Sequence, residues 1–337
     1  MNVRQVLRII VAFGISGGLL LFTLRNINTT ELMNAIASLN KPMLLAAILL
    51  WLGAYVIRAV RWKVFLDPIS PTKLYDSYQG LMIGFAANNI LPLRAGEVVR
   101  SYVLHHLNPR VSTSSAFATV AGERLFDGIA VVIYTIIGTT VLSLPTWGSR
   151  AVGIGSVLFG MALVTFLVMV FNQSRITIFT NKILFFLPLK LRERGVRMMD
   201  HFISGLISLK SVNALSRIFL LSMVAWGVEV IFYLLATRSF GIQLNFLGAA
   251  FLMGIINLGV MIPAAPGGVG TYQFIAVQSL LLFGISESRT FGFALVCNLL
   301  QNLSVIGIGL YFLSKLGLSL FAVSKTIETS ERSEYEN

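Results

Sequence analysis

Eight polar residues lie within two otherwise apolar stretches, 76–107 and 117–144. Their types suit the binding of a charged group. They are Asn88, Asn89, Arg94, Glu97, Arg100, Glu123, Arg124 and Asp127. Arg94 and Arg100 flank a predicted helix start near residue 95, where free backbone N–H groups and the positive end of the helix dipole attract anions. The planar guanidinium of arginine also matches a phosphate with two parallel hydrogen bonds. This stretch therefore predicts a phosphate site, with Asn88 and Asn89 as secondary hydrogen-bond donors.

The acidic residues of this set allow two interpretations. Glu123 and Asp127 are four residues apart, so they share one helix face and require a cation nearby. The candidate cations are Arg58, Arg61, Arg94 and Arg100. Glu97, Glu123 and Asp127 either hold arginines in a structural ion-pair network, or they bind a proton or a cationic part of the ligand. Arg58 and Arg61 are expected to extend to the membrane surface from a helix end, and Glu229 is either a proton carrier or the partner of an arginine.

The composition is that of an integral membrane protein. Of its 337 residues, 56% are hydrophobic and 12% are charged, whereas soluble domains average about 45–50% apolar and about 25% charged residues. This excludes a soluble enzyme and a nucleic-acid-binding domain. The net charge of +12 is then expected to reflect cytoplasmic loops and contacts with anionic lipid. The single cysteine and three scattered histidines predict no disulfide, no metal site and no cofactor.

Apolar runs of roughly 20 residues, the length that crosses a bilayer, predict the helices that position these side chains. The predicted spanning helices are 9–24, 43–66, 117–144, 152–171, 216–240 and 289–316. The segment 172–215 is rich in lysine and arginine and is therefore predicted to be cytoplasmic, as an amphipathic connector or a charged linker. The loops 25–42, 145–151 and 238–245 have few basic residues and are predicted to be external. Both termini are then cytoplasmic, and the tail 324–337 is predicted to be disordered.

Two further apolar stretches, 76–107 and 246–285, are broken in the middle by residues that a helix does not tolerate. The second stretch contains Asn257, Pro263, Pro266, Gly267, Gly268, Gly270 and Gln273. The loop charges require each stretch to return to the face from which it entered, so both are predicted to be re-entrant hairpins that enter from opposite faces. Irregular backbone at membrane depth is stable only where protein buries it or where it lines a wet cavity.

The order of these elements repeats along the chain. A helix, a hairpin and a helix occupy 43–144, and the same three elements occupy 216–316 in the opposite direction through the membrane. The fold class predicted for residues 1–323 is therefore an all-α polytopic domain with about six spanning helices and an inverted repeat. Broken helices at corresponding places in the two halves predict a substrate site where the repeats meet.

Five motifs in this order resemble the flippase-like transmembrane domain of lysylphosphatidylglycerol synthases. They are Arg61-Trp62, Asn88-Asn89 with Pro92, Arg94-x-Gly96-Glu97-x-x-Arg100, Glu123-Arg124-x-x-Asp127 and Pro266-Gly267-Gly268-x-Gly270. The resemblance covers residues from about 10 to 320 and implies that the chain moves lipid between leaflets. Gln273 stands near the place where that family tends to have glutamate, which argues against a proton- or amine-binding role there. The synthases carry a separate aminoacyltransferase domain that is absent from this chain, so we expect no lysylphosphatidylglycerol synthesis.

The sequence therefore predicts a flippase or transporter in the cytoplasmic (inner) membrane. Its expected substrate is an anionic (glyco)phospholipid or a polyprenyl-phosphate lipid, and it is expected not to be an enzyme. One alternative is a membrane-embedded transferase that acts on a lipid-linked substrate, because the acids are suited to acid–base chemistry. Another is an accessory subunit of a lipid-modifying complex. The candidate partners are accordingly membrane lipid, a second copy of the chain and a lipid-modifying enzyme, with no nucleic acid.

Overall fold

The computed structural model describes residues 3–91, 95–140, 205–260 and 265–320, with short pieces within 153–165 and at 195–196. Ten α-helices have both ends in these ranges, and the described residues contain no strand. The helices are α1 (Val3–Leu24), α2 (Thr29–Ala37), α3 (Lys41–Leu66), α4 (Leu74–Ile90), α5 (Gly96–Leu107), α6 (Thr113–Thr139), α7 (Val212–Ser239), α8 (Phe246–Val260), α9 (Thr271–Leu281) and α10 (Glu287–Lys315). Several predicted features lie outside the described residues: most of the helix 152–171 and of the connector 172–215, the tail 324–337, Arg94 and Pro263.

Polar caps explain why several helices begin before the apolar runs that predict them. The side chain of Asn40 accepts a hydrogen bond from the Met43 N–H at 3.1 Å, so α3 begins at Lys41. Ser112 and Ser211 cap α6 and α7 in the same way. Such caps satisfy N–H groups that have no partner within the helix. A search for apolar runs misses these first turns, because their residues are polar.

The interpretation of residues 25–42 as a loop is wrong, because Thr29–Ala37 forms the helix α2. Asn28 caps this helix by accepting a hydrogen bond from the Glu31 N–H at 3.1 Å. Its Ala35 is buried, and α2 packs against α10 near Gly292. The nine-residue helix is too short to produce the apolar run used to find spanning helices.

Within the described residues, three helices are long and apolar enough to cross a membrane: α3, α7 and α10. Two shorter apolar helical stretches lie at Phe13–Leu24 and Phe246–Val260. Helix α6 has 27 residues, a comparable length, but it carries Glu123, Arg124 and Asp127 in its middle. The chain is therefore an all-helical, multi-pass membrane protein.

Both broken stretches fold back on themselves as pairs of helices. In the first pair, Gly84 of α4 lies against Gly96 and Arg100 of α5. In the second pair, Gly259 of α8 lies against Ile275 of α9, and the rings of Phe251 and Phe283 are 6.2 Å apart. In each pair, residues early in one helix face residues late in the other. The helices of each pair therefore run antiparallel around the break.

The two helices of the first hairpin approach each other so closely at the break that only glycine fits at position 96. A Cβ atom on Gly96 would lie 2.1 Å from the carbonyl oxygen of Gly84. We therefore expect Gly96→Ala to lower the free energy of unfolding by about 1–3 kcal/mol, the usual cost of overpacking. Thermal unfolding of the purified protein in detergent measures this. Gly53→Ala is the matched control, because nothing lies within 4 Å of a Cβ at Gly53. Equal stability of the two variants would contradict the close approach of α4 and α5.

Helices α3 and α7 pack against each other in opposite directions. The Trp51 ring is 6.1 Å from the Phe232 ring, whereas Arg61, further along α3, contacts Ser222, which is earlier in α7. Helix α10 packs against α4, and α8 packs against α6. The charged side chains of α3, α5 and α6 meet in the interior between these packed helices.

Candidate functional site

Arg61 of α3 occupies the centre of a buried ion-pair network. Its Nη1 lies 2.6 Å from Asp127 Oδ1 and its Nε lies 3.3 Å from Glu123 Oε1. Nη1 also donates to Ser222 Oγ at 2.8 Å. Only 2% of the Arg61 residue is exposed, so its expected extension to the membrane surface is wrong. One arginine on α3 instead joins both acids of α6 to helix α7.

Arg100 of α5 forms the second buried ion pair. Its Nη2 lies 2.6 Å from Glu123 Oε2, and its guanidinium carbon lies 3.6 Å from the centre of the Trp62 ring. Trp62 is itself held by a 2.8 Å hydrogen bond from its Nε1 to Thr119 Oγ1. Stacking on an aromatic face and pairing with a carboxylate both stabilise a guanidinium removed from water. Arg100 is therefore enclosed by protein groups.

Arg124 differs from the other described arginines of this network. It lies 3.5 Å from Glu97 Oε1 and 3.6 Å from Asp127 Oδ2, both longer than a normal hydrogen bond. Its side chain is 42% exposed, and its guanidinium lies 5.3 Å from the ring centre of Phe85. Arg124 is therefore at the edge of the network, loosely paired and accessible.

The charges of the described network cancel. Arg61, Arg100 and Arg124 face Glu97, Glu123 and Asp127. A balanced set lowers the cost of placing charges in a low-dielectric interior. Arg94 is close to Glu97 in the sequence, but it lies outside the described residues.

Asn88 stabilises the break of the first hairpin. Its Oδ1 accepts a hydrogen bond from the Gly96 N–H at 2.8 Å, and its Nδ2 donates to Glu97 Oε1 at 3.2 Å. The first contact satisfies a backbone N–H at the start of α5, where a helix has no internal partner for it. Asn89 is partly buried in the last turn of α4. Asn88 thus links the break to the network through Glu97.

The second hairpin is held by amides rather than by charges. Gln273 Oε1 accepts from the Gly270 N–H at 2.7 Å, and its Nε2 donates to Asn298 Oδ1 at 3.2 Å. Asn298 and Asn302 both donate to the Gly267 carbonyl at 3.0 Å. A single 3-10 turn at Pro266–Gly268 lies in the break, and the glycines at 267, 268 and 270 have positive φ angles of 68°, 68° and 86°. The polar residues of this region therefore satisfy irregular backbone.

Helix α1 closes the second break from one side. Ser16 Oγ accepts a hydrogen bond from the Ala265 N–H at 2.8 Å. A Cβ on Gly270 would lie only 2.1 Å from the Ser16 carbonyl oxygen. Glycine is therefore required at 270 both for its backbone conformation and for the close approach of α1.

A separate buried ion pair joins α3 to α7. Arg58 Nη2 lies 2.5 Å from Glu229 Oε2, and both side chains are 7% exposed. Asn257 Nδ2, in the last turn of α8, donates to Glu229 Oε1 at 3.4 Å. Arg58 thus pairs with Glu229 instead of extending to the membrane surface, so Glu229 has the arginine partner that one of its two interpretations predicts.

Sequence reasoning identified most charged members of the network and the neutral Asn88, but it missed several other neutral members. Ser222, Thr119 and Trp226 were not predicted, and Trp226 Nε1 donates to Asp127 Oδ1 at 2.9 Å. The Arg61-Trp62 motif was the available signal for Trp62 and for a buried Arg61. No group of three histidine, cysteine or acidic side chains in the described part of the chain is placed to hold a metal ion.

These observations define a polytopic α-helical membrane protein with a buried, charge-balanced network beside a broken helix. Residues 9–309 match the family described as the lysylphosphatidylglycerol synthase TM region, and the chain belongs to this family. Relatives include a UPF0104 membrane protein of Methanothermobacter thermautotrophicus, 24% identical over 85% of this chain and 86% of that protein. Glycosyltransferase AglD of Haloferax volcanii is 24% identical over 91% of this chain and 54% of its own length. No solved structure matches the chain.

Proposed function

We propose that this protein moves an anionic lipid, either a (glyco)phospholipid or a polyprenyl phosphate, between the two leaflets of the membrane. The observation that carries the proposal is Arg124. Its side chain is 42% exposed, and its two acidic partners lie at 3.5 and 3.6 Å. A phosphate can replace these two long contacts with shorter, charge-assisted hydrogen bonds. The closely paired part of the network stays intact when it does so.

The burial of Arg61 and Arg100 divides the arginines into two roles in this proposal. Arg61 and Arg100 hold the acids of α6, and Arg124 receives the head group. Arg94 remains a predicted phosphate ligand, since it adds a positive charge to an otherwise balanced set. The family supports a lipid substrate, because its description names a lipid synthase.

We also propose that the two halves form an inverted repeat. Helices α3 and α7 begin at residues 41 and 212, an offset of 171, and they pack antiparallel. With this offset, the contact of Arg61 with Ser222 has as its counterpart the contact of Phe232 with Trp51, and both occur. Helices α6 and α10 begin 174 residues apart (113 and 287), and α4 and α8 begin 172 apart (74 and 246). The proximity of Thr135 to Gly254 has its counterpart in that of Gly309 to Met82.

We propose further that each broken pair is a re-entrant hairpin, because its two helices run antiparallel and the loop charges favour both of its ends on one face. The domain would then have about six spanning helices and both termini in the cytoplasm. We therefore expect Lys73 and Arg110 to face the cytoplasm, and Gln243 and Ser286 to face outward. Single cysteines at these exposed positions, in a Cys297→Ala background, can be labelled in intact cells with an impermeant maleimide. Only the second pair should react. Labelling of one member of either pair alone would contradict the hairpins.

Reconstitution tests the function directly. Protein in vesicles containing fluorescent phosphatidylglycerol should make the inner-leaflet label accessible to dithionite, and protein-free vesicles should not. Recovered lipid should be chemically unchanged, because we propose that the chain is not itself an enzyme: Glu123 and Asp127 are each closely paired with a buried arginine. An altered lipid product would favour a membrane-embedded transferase. Absence of both transport and product, with folded protein, would favour the accessory-subunit alternative.

A further inference from the structure

Arg58 and Glu229 occupy equivalent positions in the two halves. They are separated by 171 residues, which is also the offset between the starts of α3 and α7. A contact between two equivalent residues is its own counterpart, so it lies on the two-fold axis that relates the halves. Tyr55 and Trp226 are also equivalent by this offset. Their ring centres lie 5.4 and 4.9 Å from the Arg58 guanidinium, which is thus placed between matching aromatic residues.

Away from this axis, the two halves are not arranged alike. Helix α6 packs against α7, and there Trp226 donates to Asp127 at 2.9 Å. The equivalent helices α10 and α3 have almost no contact. The counterpart of the Trp226–Asp127 pair is Tyr55 with Gln301. Both residues are buried, at 4% and 8% exposure, yet neither side chain makes a hydrogen bond to another residue within the described ranges.

Building on the proposed transport function, we infer that Arg58 and Glu229 are the pivot of an exchange between two states. Trp226 donates to Asp127 in the described state, and Tyr55 donates to Gln301 in the other. Rocking of one inverted repeat against the other exposes the site to opposite faces of the membrane. Exchanging the conformations of the two halves leaves the contact on the axis unchanged. It replaces the contacts of α6 with α7 by their counterparts between α10 and α3, so α10 would approach α3 as α6 leaves α7.

The hydrogen bonds explain why the described arrangement is preferred. Asp127 is a charged acceptor and Gln301 a neutral one, and hydrogen bonds to charged groups are the stronger of the two kinds. Removing the indole donor alone should therefore shift the population toward the second state. Trp226→Phe does so while keeping an aromatic ring beside Arg58.

Cysteine cross-linking in phosphatidylglycerol vesicles tests the exchange. In a Cys297→Ala background, Tyr55→Cys with Gln301→Cys should cross-link slowly with a short thiol-reactive reagent, and about tenfold faster when Trp226→Phe is added. The control pair is Trp51→Cys with Phe232→Cys, whose rings lie 6.1 Å apart between α3 and α7; it should cross-link at the same rate with and without Trp226→Phe. An unreactive Tyr55/Gln301 pair beside a reactive control, or a rate that Trp226→Phe leaves unchanged, would overturn the exchange.

Swapping the charges of Arg58 and Glu229 tests whether this pair is the pivot. Because the two positions are equivalent, Arg58→Glu combined with Glu229→Arg should rebuild the pair, whereas each single change places like charges together. We expect each single change to abolish both cross-links and the double change to restore both rates to within about twofold of the parent, since pairing at the axis is regained. A double variant no better than the singles would refute the pivot. These readouts require no lipid movement, so failure of the transport assay would refute the proposed function and leave the cross-linking result standing.

Discussion

Arg124→Gln is expected to slow transbilayer movement of fluorescent phosphatidylglycerol by at least about tenfold, equivalent to about 1.4 kcal/mol of lost interaction. The substitution removes the positive charge and the planar fork of the one accessible arginine in the described network. Stability should change little, because the pairs it breaks are long and partly exposed to solvent. The measurement is dithionite quenching in vesicles, together with the thermal unfolding midpoint of the same preparation.

The matched control is Arg110→Gln, an exposed arginine in the connection between α5 and α6. It removes the same charge outside the network and should transport at the parental rate. Arg124→Lys keeps the charge but loses the bidentate geometry, so an intermediate rate is expected. Parental transport by Arg124→Gln would reject head-group capture at this residue, and attention would then pass to Arg94 and Glu229.

Arg61→Met is expected to lower the free energy of unfolding by about 3–5 kcal/mol, the usual result of removing one partner from a buried ion pair. Methionine has a similar length but leaves Glu123 and Asp127 without the cation that lies 3.3 and 2.6 Å from them. The thermal unfolding midpoint in detergent should fall sharply, and much of the expressed protein should aggregate.

Lys63→Met is the control on the same helix. Lys63 lies 2.6 Å from Asp67, but both side chains are more than a third exposed. Solvent-exposed pairs of this kind contribute at most about 1 kcal/mol. A loss of stability for Lys63→Met as large as that for Arg61→Met would show that the burial of Arg61 is not the cause.

The case of Arg61 shows how far sequence reasoning extends. The four-residue spacing of Glu123 and Asp127 predicted a shared face and a nearby cation, and the structure places both beside Arg61. The choice among four candidate arginines could not be made from spacing. It depends on how α3 packs against α6 and α7, and the arginine is separated from its partners by 62, 66 and 161 residues.

Arg100 is a residue whose accessibility could not be read from the sequence. Its position near a helix start made it a predicted phosphate ligand, whereas the function proposed above gives head-group binding to Arg124 and the holding of Glu123 to Arg100. The structure encloses it between Trp62 and Glu123, whereas Arg124, in the same sequence motif as Glu123 and Asp127, is accessible. The exposure of a long side chain depends on its neighbours in three dimensions. In a helix that is surrounded on several sides, apolar periodicity says little about which side chains are exposed.

The sequence by itself determined the class of protein, the positions of the two helix breaks and the residues that carry charge inside an apolar chain. These properties are local, because an apolar run, a proline–glycine cluster or a buried charge acts through the transfer energy and backbone geometry of a few adjacent residues. Only the tertiary structure decided which arginine meets which acid, and that Arg58 of α3 pairs with Glu229 of α7. Such pairs depend on the register between helices far apart in the chain, which is set by the packing of all the helices together.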